Sequence, residues 1–169
     1  AQFRIRDGGF TVDADNLGTT LTQVVLSFTN SANIRRVAIY DDTNTEVGTE
    51  QNGAATVTFS GLNITAPDGT FKIFKVRVSF KNVVTDNQQI QLGIVATTTA
   101  AATGSGFAAA NAGGAVTSTS GDNNRIEVTA SALVFGVKTS NVGVGNAMSP
   151  APTIIGKDAL MNTDLDYSG

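Results

Sequence analysis

An all-β antiparallel sandwich is the fold class this sequence predicts. Three observations predict it. Apolar residues recur at every second position, turn-forming clusters break the chain often, and no stretch sustains a 3.6-residue apolar repeat. A strand sends alternate side chains to opposite faces, so a sheet with one buried and one wet face needs this period. Composition agrees. Of the 169 residues, 41% are hydrophobic, enough to fill a core, and only 15% are charged. The polar surface must therefore come from Thr, Ser, Asn and Gln, and Thr suits a pleated strand better than a helix.

The elements follow in order. Phe3 and Ile5 alternate with Arg4 and Arg6; Val24, Leu26 and Phe28 alternate with Gln23, Ser27 and Thr29. Val37 and Ile39 follow Ile34-Arg35-Arg36, and Ala55, Val57 and Phe59 alternate with Thr56 and Thr58. Phe74, Val76, Val78 and Phe80 alternate with Lys75, Arg77 and Ser79. Ile90, Leu92 and Ile94, then Ile126 and Val128, complete the set. The expected core is Val24, Leu26, Phe28, Val37, Ile39, Val57, Phe59, Phe74, Val76, Val78, Phe80, Ile90, Leu92, Ile94, Ile126 and Val128. Turn signals separate these runs, among them Asn30-Ser31-Ala32-Asn33, Asn52-Gly53 and Pro67-Asp68-Gly69. Many short strands with frequent turns indicate an immunoglobulin-like or jelly-roll arrangement, with no helix beyond a turn or two.

The organisation expected is a sandwich module over 1–138, a Gly/Pro-containing linker over 139–152, and a short segment over 153–169. That last segment is the first strand of a following module or an added edge strand. Ser149-Pro150-Ala151-Pro152 favours an extended connector. Ala96 to Ser120 is rich in Ala, Thr, Gly and Ser, with Phe107 as its one large apolar residue, and reads as a long surface loop. The chain starts at Ala1 without Met or a signal peptide, as a processed or excised chain does.

Charge and residue types narrow the chemistry. Net charge is −3, and no basic cluster along the chain exceeds the pair Arg35-Arg36, so no nucleic-acid partner is expected. No apolar run approaches the length of a membrane span, so no direct membrane insertion is expected. With neither His nor Cys, a Ser-His-Asp, Cys-His or His-metal site cannot be built from these residues. Carboxylates such as Asp41, Asp42 and Glu46 sit where turn residues belong, and no enzyme is expected. Carbohydrate stacking platforms use exposed Trp or Tyr, and the chain offers only Tyr40 and Tyr167.

No cofactor is required, but calcium is one that the loops could take, because closely spaced Asp and Asn supply hard oxygen ligands. The first candidate set is Asp7, Asp13, Asp15 and Asn16; Leu17 stands where an EF-hand would place a ligand, so that motif is rejected. A second set is Asp41, Asp42, Asn44 and Glu46, and a third is Asp158, Asp164 and Asp166. For each, the competing reading is ordinary turn chemistry.

Phe3-Arg4-Ile5-Arg6-Asp7-Gly8-Gly9, Ile34 to Asp41, Thr58-Phe59-Ser60-Gly61-Leu62 and Gly121 to Val128 resemble signature strands of tandem repeat modules. Such modules build giant cell-surface proteins of Bacteroidetes, including gliding-motility adhesins and other type IX secretion substrates. Leu133-Val134-Phe135 through Asn146-Ala147-Met148-Ser149-Pro150 resembles the connector between them. The resemblance implies a secreted, cell-surface location and a structural or adhesive role as a spacer or stalk unit. Its implied partners are neighbouring modules or like subunits. Two alternatives stay open. One is a protein- or glycan-binding module using loops Asp7–Gly18, Asp41–Asn52 and Ala96–Ser120; the other is a strand-exchanging filament subunit.

Overall fold

A computed structural model describes residues 1–8, 15–99 and 124–168. The chain is all-β, with antiparallel sheets packed together as a sandwich. The described strands are β1 (Gln2–Arg6), β2 (Thr19–Phe28), β3 (Ile34–Asp41), β4 (Gln51–Asn52), β5 (Thr56–Ala66), β6 (Phe71–Phe80), β7 (Leu92–Thr99), β8 (Ala132–Val137) and β9 (Thr153–Lys157). Among the described residues the helical element is a single 3-10 turn, Ser31–Asn33.

The chain divides into two compact units: Ala1–Lys81 with Ile90–Asn124, and Asn82–Gln89 with Arg125–Gly169. The first unit is the sandwich. One sheet has the order β1-β6-β3-β4 and the other β5-β2-β7, every pairing antiparallel. The chain changes sheet at the predicted turns. The Asn30–Asn33 turn leads from β2 to β3, and Pro67-Asp68-Gly69-Thr70 leads from β5 to β6, closed by Thr70 N–H donating to the Pro67 carbonyl at 2.9 Å. Between the sheets lies one apolar cluster, including Leu21, Val24, Leu26, Ile34, Val37, Ile39, Phe59 and Phe74. Phe3 stacks on Phe74 with ring centroids 5.3 Å apart, which ties the edge strand β1 into the core.

Two bulges reverse the alternation. Along β5, Val57 and Phe59 are buried, then Leu62, Ile64 and Ala66. The phase flips at Gly61, whose φ of 68° lies in the left-handed region that glycine adopts at bulges. Opposite it, β2 pairs Leu21 with Ile64 but Gln23 with Ser60, so both strands change phase together. A strict period of two therefore misses Leu21, Leu62, Ile64 and Ala66 as core residues.

The expected core otherwise holds, with corrections. Phe80, expected inside, is 43% exposed because it lies at the last position of β6. Val78, Ile90 and Leu92 pack against the cluster half-buried. Ile126 and Val128 are buried, but in the second unit and outside any extended strand.

The second unit differs from the expected division at 138/139. It gathers Asn82–Gln89 with Arg125 onward, and its β8 and β9 pair with each other as a two-stranded sheet. Thr153–Lys157 thus partners Ala132–Val137 and not an edge of the sandwich. Leu133, Phe135 and Ile154 on this hairpin are exposed. Much of this unit's order comes from buried polar residues. Asn162 donates its amide to the Asn82 carbonyl at 2.9 Å and accepts from Val84 N–H at 3.0 Å, linking segments 80 residues apart.

Candidate functional site

Three acidic groupings and one basic face carry the ionisable chemistry of the described residues. The first acidic grouping forms where β1 ends. Asp7 is fully buried there. It accepts from the Thr19 hydroxyl at 2.6 Å and from Gly69 N–H at 3.0 Å, which fastens β1 to the start of β2 and to the β5–β6 turn. Asp7, Asp15 and Asp68 bring carboxylate oxygens within 4.8 Å of one another. That separation matches oxygens ligating one calcium ion at 2.3–2.6 Å. The sequence reading foresaw Asp7 and Asp15 but not Asp68. Asn16 stands in the left-handed region, and Asp15 accepts from Leu17 N–H at 2.8 Å, a turn of its own. Asp13 lies outside the described residues.

The second predicted set, Asp41, Asp42, Asn44 and Glu46, does not converge as a cation site among the described residues. Asp41 closes its own turn, accepting from the Thr43 hydroxyl at 2.7 Å and from Thr45 N–H at 2.8 Å. The Thr43 bond first, then the Thr45 amide, hold the Asp41 carboxyl below the usual aspartate value. A general acid needs the opposite shift. Asp41 and Asp42 border a shallow depression with Lys72 and Phe74, and a carboxylate held ionised there acts as a turn cap.

Asp158 behaves likewise. Its pKa is lowered, chiefly by the Asn162 side-chain amide. For both groups the folded pKa is depressed, so their contribution to stability is present above the unfolded value and fades as pH falls through the folded one. Carbon-detected NMR titration of the side-chain carboxyls is expected to give Asp41 and Asp158 midpoints below that of an aspartate in a short peptide. Midpoints at or above the peptide value would contradict these turn geometries.

The third predicted set is corrected in membership. Asp164 and Asp166 converge with Asp86, not with Asp158, which faces its own turn. Asp86 is 3% exposed and accepts from Val128 N–H and Leu165 N–H, both at 2.8 Å. Asp164 accepts from Ala130 N–H at 2.9 Å. Arg125 lies 3.8 Å from Asp166 and supplies positive charge to the group.

The basic face was not foreseen. In the β1-β6-β3-β4 sheet, Phe3, Ile5, Phe74, Val76, Val37 and Ile39 point inward. Register then places the alternate residues together on the outer face. Arg6 lies across from Phe71, Arg4 from Ile73, Lys75 between Gln2 and Tyr40, Arg77 across from Ala38, and Arg36 from Ser79. Arg35 occupies a bulge and donates toward the Ser79 hydroxyl at 3.5 Å. Six cations thus share one sheet face in a protein of net charge −3. Arg77 lies over the Tyr40 ring at 4.4 Å and Arg4 over Phe71 at 5.5 Å, arrangements that favour the cation. Lys75 and Arg77 both donate to the Asn44 side-chain oxygen, at 2.9 and 2.7 Å. Arg36 has an acidic neighbour, Glu50, at 3.6 Å. The signal was present in the strands Phe3–Arg6 and Phe74–Ser79, where wet positions hold Arg or Lys. It became legible only once the register of β1, β6 and β3 aligned them.

With this geometry in view, comparisons with protein-family models, curated proteins and solved structures return no match.

Proposed function

We propose that this chain is a structural module of a secreted cell-surface protein, serving as a spacer or stalk unit with adhesive capacity. The observation that carries the reading is the dry apolar cluster closed between two antiparallel sheets. Such a core gives a cooperative unit that resists unfolding. The acidic groupings serve as turn caps and strand ties, which is shape-holding work. The likeness of Phe3–Gly9, Ile34–Asp41 and Gly121–Val128 to tandem surface modules supports repetition along a fibre.

Single-molecule stretching of a head-to-tail tandem of this chain tests the proposal. The expected record is a saw-tooth of equal contour steps, one or two per copy. Smooth extension without force peaks sinks the spacer reading.

A further inference from the structure

We propose that the outer face of the β1-β6-β3-β4 sheet binds a linear acidic polysaccharide. The cations follow one another row by row. Arg6 and Arg4 on β1, Lys75 and Arg77 on β6, and Arg36 on β3 place a cation in each of five successive rows, with Arg35 beside the last; the acidic groups Glu46, across from Tyr40, and Glu50, 3.6 Å from Arg36, lie on the β4 side of the track. Alternate residues are ~7 Å apart along a strand, so the track runs roughly 28 Å while crossing two strand spacings. A diagonal line of single charges complements an extended chain of carboxylates or sulfates better than a compact anion.

Three further observations favour this occupant. The protein is anionic overall, so bulk charge does not draw a polyanion to it, and attraction must be local to this face. Hydrogen-bonding groups suited to sugar hydroxyls, Gln2, Asn44, Ser79 and Asn52, flank the track, and the acidic Glu46 and Glu50 border it on the β4 side only. Guanidinium groups lie over the aromatic rings of the face, Arg77 over Tyr40 at 4.4 Å and Arg4 over Phe71 at 5.5 Å. Phe71 alone is substantially exposed, at one end of the track, whereas binding single-stranded nucleic acid draws on a succession of open rings. Convergence of Lys75 and Arg77 on the single Asn44 oxygen marks the middle of the track as the point where an anionic group displaces a neutral acceptor. The face would supply adhesion to the surface module proposed above, but its charge pattern stands without that reading.

The test uses the whole chain on immobilised polygalacturonate, with neutral dextran and a single-stranded thymidine oligonucleotide of equal charge as comparators. At about 50 mM salt, where screening is weak, the protein is expected to bind polygalacturonate, to ignore dextran, and to elute as salt rises. The double variant Arg4→Gln/Arg77→Gln removes two exposed cations and is expected to weaken binding roughly 30-fold. Lys138→Gln/Lys157→Gln removes as much charge elsewhere and is expected to leave it unchanged. In the unaltered protein, a short galacturonate oligomer should shift amide resonances of β1, β3 and β6. Four results each overturn the proposal: no retention on polygalacturonate, equal losses in the two double variants, tighter binding to the oligonucleotide, or shifts mapping away from this sheet.

Discussion

Replacing Val76 with Asp is expected to leave the sandwich unit unfolded at room temperature. Val76 is 6% exposed and sits on β6, the strand between β1 and β3, opposite Ile39. The substitution places a carboxylate inside the apolar cluster. An unpaired buried charge costs ~4–5 kcal/mol or more, against a total stability of roughly 5–15 kcal/mol for a domain. Amide dispersion in a proton NMR spectrum and a thermal melt followed by circular dichroism read the effect. Thr58→Asp, at an exposed position of β5, is the matched control, and its melt should move by no more than about 1 kcal/mol. A Val76→Asp protein that keeps its dispersion and its melting curve would mean that β6 turns its other face to the core.

Asp86→Ala is expected to loosen the second unit while sparing the first. The Asp86 carboxylate receives Val128 N–H on one oxygen and Leu165 N–H on the other, so it joins two segments to the 82–89 stretch. Its removal leaves Val128 N–H without a partner in a buried setting and Leu165 N–H without one in a partly buried setting. At ~1–3 kcal/mol for each unsatisfied donor, the loss is about 3–5 kcal/mol in total. Asp86→Asn keeps one acceptor oxygen and should cost roughly half as much. Hydrogen exchange reports it directly, with the Val128 and Leu165 amides exchanging far faster while Val24 and Val37 amides stay protected. Unchanged protection at Val128 and Leu165 would remove Asp86 from its assigned place.

These two residues mark what could and could not be read from the sequence. Val76 lies in an unbroken alternation from Phe74 to Val78, and there a period of two names the inward face correctly. Leu21 and Leu62 escaped because a bulge shifts phase without leaving a compositional mark beyond one glycine. Asp86 looks like any turn aspartate, since burial and hydrogen bonding to residues 42 and 79 positions away leave no local pattern. The third calcium set changed membership for the same reason. Chain proximity joined Asp158 to Asp164, whereas folding joins Asp164 to Asp86. The basic face depends on which rows of three strands align, and that information is held by the turns and bulges and not by the cations themselves.

The interleaved course of the chain has a practical outcome. It leaves the first unit after Lys81, returns at Ile90 and departs again after Asn124. The first unit can then be separated only with 82–89 carried along inside it, and the second can be neither liberated by one cleavage nor expressed as an uninterrupted fragment. A protease nick near residue 138 would divide the second unit internally, parting β8 from its partner β9, instead of freeing a detachable tail.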